Sequence, residues 1–250
     1  MSQGTFSKEF EVHYYEVNRF AEATPVAVLN YLEDTAVTHS EAVGLGFAKL
    51  KAKGVGWVLN RWLLLIDKFP TWGERVTVET WPSSFERFTA VREFLLKNRS
   101  GDVIGRASSR WFYLNLARKR PIRIPAEFGA AYGISPERAV PEPFSELDPV
   151  EEAAVSKTFA VRRHDIDTNE HVNNTKYVEW MTEAVPEAVE EDFALSLLEI
   201  EYKRETTYGA VVSSLCAESA RGNGWIELLH SIEGEGGVPL AVARTRWRKR

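Results

Sequence analysis

The feature of this sequence that most restricts its fold is an internal duplication. Each half of the chain carries the same order of predicted elements: a short strand, a helix and then four strands. Two local alignments support the repeat, since residues 15–18 match residues 164–167 and residues 70–73 match residues 206–209. A long helix followed by an antiparallel sheet that it can cover predicts an α+β fold in each half.

The duplication also predicts the domain boundaries. Residues 1–116 are predicted to form a first domain and residues 158–250 a second domain. Residues 117–157 are predicted to link them, because they contain six of the chain's 11 prolines. The predicted strands are 6–15, 55–69, 75–81, 88–97 and 103–114 in the first half and 159–163, 195–203, 210–219, 225–232 and 240–248 in the second, with helices at 25–43 and 174–185.

Composition excludes several classes of function. The hydrophobic fraction of 44% is that of a globular protein, and the net charge of -5 counts against nucleic acid as a partner. Cys216 is the only cysteine, so no internal disulfide can form, and no Cys/His group has the spacing of a zinc site. We therefore expect chemistry without a metal or other cofactor. No segment has the length of a membrane span and no apolar leader opens the chain, which predicts a soluble, cytoplasmic protein without membrane association.

The densest group of polar side chains lies in residues 164–173. Asp167, Asn169 and His171 are spaced at i, i+2 and i+4, so an extended backbone would place all three side chains on one side. An amphipathic helix follows and begins near residue 174. Its first N–H groups and its dipole would favour negative charge beside the three side chains.

A simpler interpretation of this D-x-N-x-H pattern is a polar turn before a capped helix, because Asp and Asn are common in turns. The duplication argues against it. At the matching positions, the first half carries Asn18, Phe20 and Glu22. A turn that needed these side chains only for folding would have kept them in both copies, so we interpret the second copy as functional and the first as scaffold.

Several separate segments resemble the acyl-acyl carrier protein thioesterase family, best known from plant plastids. They are residues 165–180, residues 198–205, residues 69–74 and residues 106–111. The resemblance extends in order over nearly the whole chain, from about Phe6 to Trp247. It implies a tandem hot-dog fold, in which each half is a long helix wrapped by an antiparallel sheet, and a relative of bacterial type.

The resemblance also implies an activity and its residues. The activity is hydrolysis of the thioester between a fatty acyl chain and the phosphopantetheine group of acyl carrier protein. The catalytic residues carry over onto Asp167, Asn169, His171 and Glu205. Plant members have a cysteine after the glutamate, whereas this chain has Thr206. A covalent thiolate mechanism is therefore not expected from that position.

The roles of the two carboxylates stay open at this point. Glu205 could act as the general base, with Asp167 and His171 orienting the reaction centre, or Asp167 could be the base and Glu205 its orienting partner. Asn169 and the N–H groups of the following helix would stabilise the oxyanion. Without the resemblance, Glu205 would be interpreted as a charge paired with a neighbouring cation.

The substrate and the partner give further expectations. Apolar side chains of the first half are expected to line the acyl pocket, and basic clusters are expected to bind the acidic carrier protein. The candidate substrate-binding residues are Phe20, Trp57, Leu59, Trp62 and Thr206. The candidate docking residues are Arg118, Lys119, Arg120 and Arg123, and Arg244, Arg246, Arg248, Lys249 and Arg250. A homodimer is compatible with this layout but not required by it.

Three alternatives remain for the same fold. They are a thioesterase that acts on coenzyme A thioesters, a dehydratase or hydratase that acts on a 3-hydroxyacyl chain, and an acyl-binding module without catalysis. The combination of Asp167, Asn169, His171 and Glu205 argues against a module that only binds. A Ser-His-Asp hydrolase is not expected, because the chain lacks G-x-S-x-G.

Overall fold

The computed structural model describes residues 4–250. These residues form two compact units, one made of residues 4–60 and 64–143 and the other of residues 61–63 and 144–250. Among the described residues, no helix combines the length and the apolar character needed to cross a membrane.

The first unit is an antiparallel sheet with one long helix against it. The elements are β1 (Phe6–Glu11), α1 (Pro25–Ala42), α2 (Phe47–Ala52), β2 (Val55–Ile66), β3 (Arg75–Phe85), β4 (Thr89–Lys97), β5 (Val103–Asn115), β6 (Arg120–Pro121) and α3 (Glu127–Tyr132). The strands lie in the order β1-β3-β4-β5-β2, and β6 is a two-residue strand paired with β5. Helix α1 packs against β1 and β3.

Helix α1 begins as its sequence predicts. The Thr24 hydroxyl accepts the N–H of Ala27 at 3.1 Å, and Pro25 occupies the first helical position, where its missing N–H has no cost. Val28, Leu29 and Leu32 are at most 1% exposed, so this face of the helix is fully covered. Burial of this stripe, rather than helix propensity, accounts for most of the stability of such a helix.

The second unit repeats this architecture. Its elements are β7 (Val155–Ala160), α4 (Asn174–Glu183), α5 (Glu187–Asp192), β8 (Phe193–Tyr202), β9 (Val211–Gly222), β10 (Trp225–Glu233) and β11 (Pro239–Lys249). The strands lie in the order β8-β11-β10-β9-β7, each antiparallel to its neighbour, and helix α4 packs against β9 and β10. Val178 and Met181 of α4 are fully buried. The predicted order of strand, helix and four strands is therefore present in both units.

The proline-rich segment contributes to both units. Phe128 and Tyr132 of α3 are buried in a cluster with Leu50, Tyr113 and Ile124, so residues up to 143 complete the first unit. Strand β7 begins at Val155, a few residues before the predicted start of the second domain. The stretch between these elements, where no helix or strand forms, is shorter than the predicted linker.

The first strand is also shorter than predicted. It ends at Glu11, because residues 14–16 form a 3-10 turn in which the Glu16 carboxylate accepts the His13 N–H at 2.8 Å. Residues 163–165 form the equivalent 3-10 turn of the second unit, where the Asp165 carboxylate accepts the Arg162 N–H at 2.7 Å. The two units therefore agree even in the irregular segment that leads into the polar loop.

Candidate functional site

The polar loop, residues 166–172, is not extended, so that part of the prediction is wrong. Ile166 and Val172 form an antiparallel bridge that closes the loop, and the Asp167 N–H donates to the His171 carbonyl at 2.8 Å. Glu170 has φ of 66°, in the left-handed region that reverses the chain. A tight turn, not strand alternation, therefore sets the directions of the polar side chains.

The Asp167 carboxylate forms part of this turn. Its Oδ1 accepts the N–H of Asn169 at 2.7 Å and the N–H of His171 at 3.4 Å, and its Oδ2 lies 3.5 Å from Asn169 Nδ2. These are the hydrogen bonds of an Asx turn. Asp167 consequently holds both the backbone of the loop and the side-chain amide of Asn169.

His171 and Glu205 form the second contact of the site. His171 Nδ1 lies 3.3 Å from Glu205 Oε2, and the two side chains are 30% and 46% exposed. Glu205 follows the end of β8, and the next residue, Thr206, accepts the Val172 N–H on its carbonyl at 3.0 Å. The pairing of Val172 with Thr206 thus brings together a histidine and a glutamate that are far apart in the sequence.

The first unit contains the same loop with the same hydrogen bonds. Val17 and Ala23 form its bridge, the Asn18 N–H donates to the Glu22 carbonyl at 2.8 Å, and Ala21 has φ of 60°. Asn18 Oδ1 accepts the N–H groups of residues 20 and 22 at 2.9 and 3.1 Å, as Asp167 does in the second unit. The Ala23 N–H donates to the carbonyl of Pro70 at 2.8 Å, which repeats the contact of Val172 with Thr206.

Comparison of the two loops separates the residues needed for folding from the rest. Position 167 requires a side-chain oxygen that accepts two N–H groups, and either an aspartate or an asparagine supplies one. Asn169, His171 and Glu205 are replaced in the first unit by Phe20, Glu22 and Phe69, and the backbone is unchanged. The fold therefore does not account for the amide, the imidazole and the second carboxylate, which supports a functional role for them.

The start of helix α4 differs from the expectation of free N–H donors. The Asn173 side chain caps the helix by accepting the N–H of Thr175 at 2.9 Å, and the Lys176 N–H donates to the Asn173 carbonyl at 2.9 Å. The Asn173 N–H donates to the Asp165 carbonyl at 2.8 Å. Because these N–H groups have acceptors within the protein, the side-chain amide of Asn169 is the better candidate donor for an oxyanion.

The predicted substrate-binding residues occupy different environments. Leu59 and Trp62 are 3% and 0% exposed, and Trp57 stacks in an aromatic group whose nearest ring, Tyr113, has its centroid 5.0 Å away. Phe20 is 38% exposed on the first loop. Thr206 lies beside Glu205 and contacts the polar loop through its backbone. A role for these residues in acyl binding stays a prediction.

One residue of the site was missed in the sequence. Tyr177 was interpreted only as an apolar position of helix α4, and it is indeed 2% exposed, but it also carries a hydroxyl near the site: burial raises the pKa of that hydroxyl, and the charges of Glu205 and Asp167 raise it further. Comparison of the two halves could have indicated it, because the matching residue of α1 is Val28. A buried hydroxyl in only one of two copies is a polar group that the shared fold does not require.

The chain's single cysteine lies in the core. Cys216 is 1% exposed on β9, and burial raises the pKa of its thiol to about 12, so it carries no thiolate at neutral pH. Among residues 4–250, no group of three or more His, Cys, Asp or Glu side chains has an arrangement that could hold a metal ion.

Family models match almost the whole chain. Residues 3–132 match the acyl-ACP thioesterase N-terminal domain, and residues 149–249 match the acyl-ACP thioesterase C-terminal domain. The chain is 30% identical to the chloroplastic palmitoyl-acyl carrier protein thioesterase of Gossypium hirsutum over 97% of its own length. It spans 63% of the length of that relative.

Solved structures give the same result for the fold. The 12:0-ACP thioesterase from Umbellularia californica is 29% identical and superposes with a TM-score of 0.87 over 98% of this chain and 94% of that one. An acyl-ACP thioesterase from Bacteroides thetaiotaomicron, 23% identical, superposes with a TM-score of 0.89 over 99% and 100% of the two chains. The predicted tandem hot-dog fold is confirmed.

Proposed function

The chain belongs to the acyl-acyl carrier protein thioesterase family, and on this premise we propose that it hydrolyses fatty acyl thioesters of acyl carrier protein to a free fatty acid and the carrier thiol. The observation that carries the proposal is the pairing of His171 with Glu205 beside an asparagine whose amide is held by Asp167. The duplicated loop provides the internal comparison, because it has the same backbone without these groups.

The geometry favours Glu205 over Asp167 as the general base. Both oxygens of Asp167 face groups of its own loop, whereas the Glu205 carboxylate is 46% exposed and contacts His171 through one oxygen. In the proposed reaction Glu205 takes a proton from water while the water oxygen attacks the thioester carbonyl. The tetrahedral intermediate then expels the sulfur, which receives the proton from Glu205.

Asn169 is assigned to the oxyanion. Its amide can donate to the carbonyl oxygen as negative charge develops there, and removal of one such donor typically costs about 2.7–4 kcal/mol of transition-state stabilisation. Asp167 restrains this amide before the substrate arrives. A thiol has a pKa of about 8.5, so the leaving group needs little help from an acid.

Thiol release tests the activity directly. Purified protein would be mixed with acyl carrier proteins loaded with acyl chains of different length, and with the matching acyl-coenzyme A thioesters. We expect faster release, at equal substrate concentration, from the carrier protein. Equal or faster release from coenzyme A would identify a coenzyme A thioesterase, and folded protein that released no thiol from either carrier would contradict the proposal.

Asp167→Asn distinguishes the two carboxylates. Because Asn18 makes the equivalent bonds in the first loop, we expect the variant to keep its loop, with Tm within about 2 °C of wild type and kcat within about tenfold. Asp167→Ala removes the acceptor of two N–H groups, so we expect it to lower both Tm and kcat more than Asp167→Asn does. An unchanged Tm with turnover lost by a hundredfold or more in Asp167→Asn would instead make Asp167 the base.

We further propose that the carrier protein binds at a basic surface of the first unit. The hairpin of β5 and β6 carries Arg118, Lys119, Arg120 and Arg123, all exposed. The Leu116 N–H donates to the Gly54 carbonyl at 3.0 Å, which brings this hairpin beside the end of α2. That end adds two exposed lysines, Lys51 and Lys53.

The second basic cluster is a weaker candidate because part of its charge is neutralised within the protein. Arg244 pairs with the buried Glu199 at 3.0 Å, and Arg246 pairs with Glu227 at 2.8 Å. Arg248, Lys249 and Arg250 are exposed at the end of the same strand. Because Arg244 and Arg246 are paired within the protein, we assign the acidic partner to the β5–β6 hairpin.

Matched charge reversals test this assignment. Arg118→Glu with Arg123→Glu is expected to raise KM for acyl-acyl carrier protein about tenfold or more, to leave kcat unchanged and to weaken the salt dependence of KM. Arg248→Glu with Lys249→Glu changes the same number of charges in the second cluster and is the control. A larger increase in KM for the control pair would place the docking surface at the chain's C-terminal strand.

A further inference from the structure

An arginine lies beside the candidate site and takes no part in the proposed chemistry. The guanidinium carbon of Arg163 lies 4.7 Å from the centre of the Tyr208 ring, which is the geometry of a cation–π contact. Arg163 is in the 3-10 turn that leads into the polar loop, and Tyr208 is three residues after Glu205. The contact therefore joins the same two segments as the pair of His171 with Glu205.

Backbone hydrogen bonds fix the place at which these two segments meet. The Gly209 N–H donates to the Val161 carbonyl at 3.2 Å, and the Val161 N–H donates to the Ala210 carbonyl at 2.9 Å. Three peptide units separate Tyr208 from Glu205, so their Cα atoms are at most about 11 Å apart. The arginine that stacks on Tyr208 is thus held close to the proposed base.

The positive charge of Arg163 is not neutralised within the protein. Among residues 4–250, no carboxylate forms an ion pair with its guanidinium. The adjacent Arg162, in contrast, pairs with Asp165 at 2.9 Å and with Glu179 at 3.5 Å. Arg163 is exposed, and an arginine stays protonated at every pH at which proteins are folded. It therefore offers an uncompensated cation to a ligand at the site.

The first unit keeps this contact without the charge. Tyr14 and Trp72 occupy there the positions of Arg163 and Tyr208, and their rings meet edge to face with the centroids 5.5 Å apart. A side-chain contact at this junction is therefore common to both copies. A cation is present only in the copy that also carries the imidazole and the carboxylate, so the shared fold does not account for it.

The proposed substrate carries an anion at a fixed distance from its reactive bond. A pantetheine arm joins the thioester sulfur to a phosphate group, and it is about 15 Å long when it is as extended as a polypeptide backbone. One short turn of backbone and one side chain separate Glu205 from the Arg163 guanidinium, which is a distance of the same order. Guanidinium groups bind phosphate oxygens through charge-assisted hydrogen bonds, often two at once.

We propose that Arg163, oriented by Tyr208, binds the phosphate group of the pantetheine arm while Glu205 and His171 face the thioester. The inference rests on the proposed function, because its ligand is part of that substrate. Arg204 is a second exposed cation of the same segment, but no hydrogen bond, ion pair or ring contact within residues 4–250 holds its guanidinium. Arg163 is therefore the assigned ligand.

Two thioesters that differ only in the phosphate test this assignment. With the same acyl chain, wild type is expected to have kcat/KM about tenfold higher for acyl-phosphopantetheine than for acyl-pantetheine. In Arg163→Gln this ratio should fall to within about twofold of one, with kcat/KM for acyl-pantetheine unchanged. Arg87→Gln is the matched control, since the guanidinium carbon of Arg87 also lies 4.7 Å from the centre of a ring, that of Phe88. It should keep the wild-type ratio.

Arg163→Tyr guards against a loss of folding. It places in the second unit the aromatic pair that the first unit contains, so it should keep the melting temperature of wild type and lose the ratio as Arg163→Gln does. A ratio near one in active wild type, an unchanged ratio in both variants, or a loss in Arg204→Gln alone would overturn the inference and leave the proposed function standing.

The natural carriers complete the test, because coenzyme A and acyl carrier protein both attach pantetheine through a phosphate. We expect Arg163→Gln to lower kcat/KM for acyl-acyl carrier protein and for acyl-coenzyme A by about tenfold each. A loss with coenzyme A alone would contradict a role for Arg163 in hydrolysis of the carrier-protein substrate. Folded wild type that released no thiol from any of the four thioesters would overturn the proposed function and this inference together.

Discussion

Glu205→Gln is expected to lower kcat for acyl-acyl carrier protein hydrolysis by about 10²–10⁴-fold, the contribution typical of a general base. Glutamine keeps the size of the side chain and its oxygen but cannot take a proton from water. Because Glu205 is 46% exposed, the substitution should leave the thermal unfolding midpoint close to that of wild type. Steady-state kinetics and a melting curve on the same preparations measure both quantities.

Glu170→Gln is the control for this variant. Glu170 is an exposed carboxylate on the polar loop that has no part in the proposed reaction, so the same chemical change should leave kcat unaffected. If Glu205→Gln retained more than about a tenth of the wild-type kcat, the base would have to be another group. Asp167 would then be the first candidate, and the kinetics of Asp167→Asn would show it.

Glu199→Leu is expected to destabilise the second unit by about 3–5 kcal/mol, the cost of breaking a buried ion pair from one side. Glu199 is fully buried on β8, where its carboxylate pairs with Arg244 at 3.0 Å and accepts the Ser145 N–H at 2.7 Å. Leucine fills the space but leaves a quarter-exposed guanidinium and a backbone N–H without this acceptor. The unfolding midpoint should fall by on the order of 10 °C.

Glu218→Leu provides the comparison. Glu218 pairs with Arg221 at 2.6 Å on the surface of β9, and both side chains are exposed, so its loss should change the free energy of unfolding by less than about 1 kcal/mol. Similar thermal unfolding midpoints for the two variants would show that water reaches the ion pair of Glu199 with Arg244.

The duplication made the order of helices and strands predictable, whereas short elements and turns were not. Helices α2 and α5 have six residues each, too few for an amphipathic period to stand out. The polar loop was expected to be extended because spacing alone cannot show that Glu170 takes a positive φ. That angle accompanies the hydrogen bonds that the Asp167 carboxylate accepts from the loop backbone. An alternating pattern of side chains gives no information about such bonds.

The site was predictable only in part from the residues themselves. Asp167, Asn169 and His171 stand together in the sequence, and the first copy showed that they are not shared by both halves. Glu205 is 34 residues beyond His171, and only the resemblance to a family indicated it before its 3.3 Å contact was known. Tyr177 lay within an apolar helix pattern, where the sequence alone does not show that a buried ring carries its hydroxyl close to Glu205 and Asp167.

The two loops also differ in what mutation can do to them. The fold of the first loop requires only a side-chain acceptor at Asn18 and a residue that tolerates a positive φ at Ala21. Its other positions can therefore accept substitutions or form new contacts. The second must satisfy the same backbone demands and present an amide and an imidazole as well. Within one chain, the first loop shows which residues the turn needs to fold, and the second shows which further residues are present where the turn forms part of the proposed site.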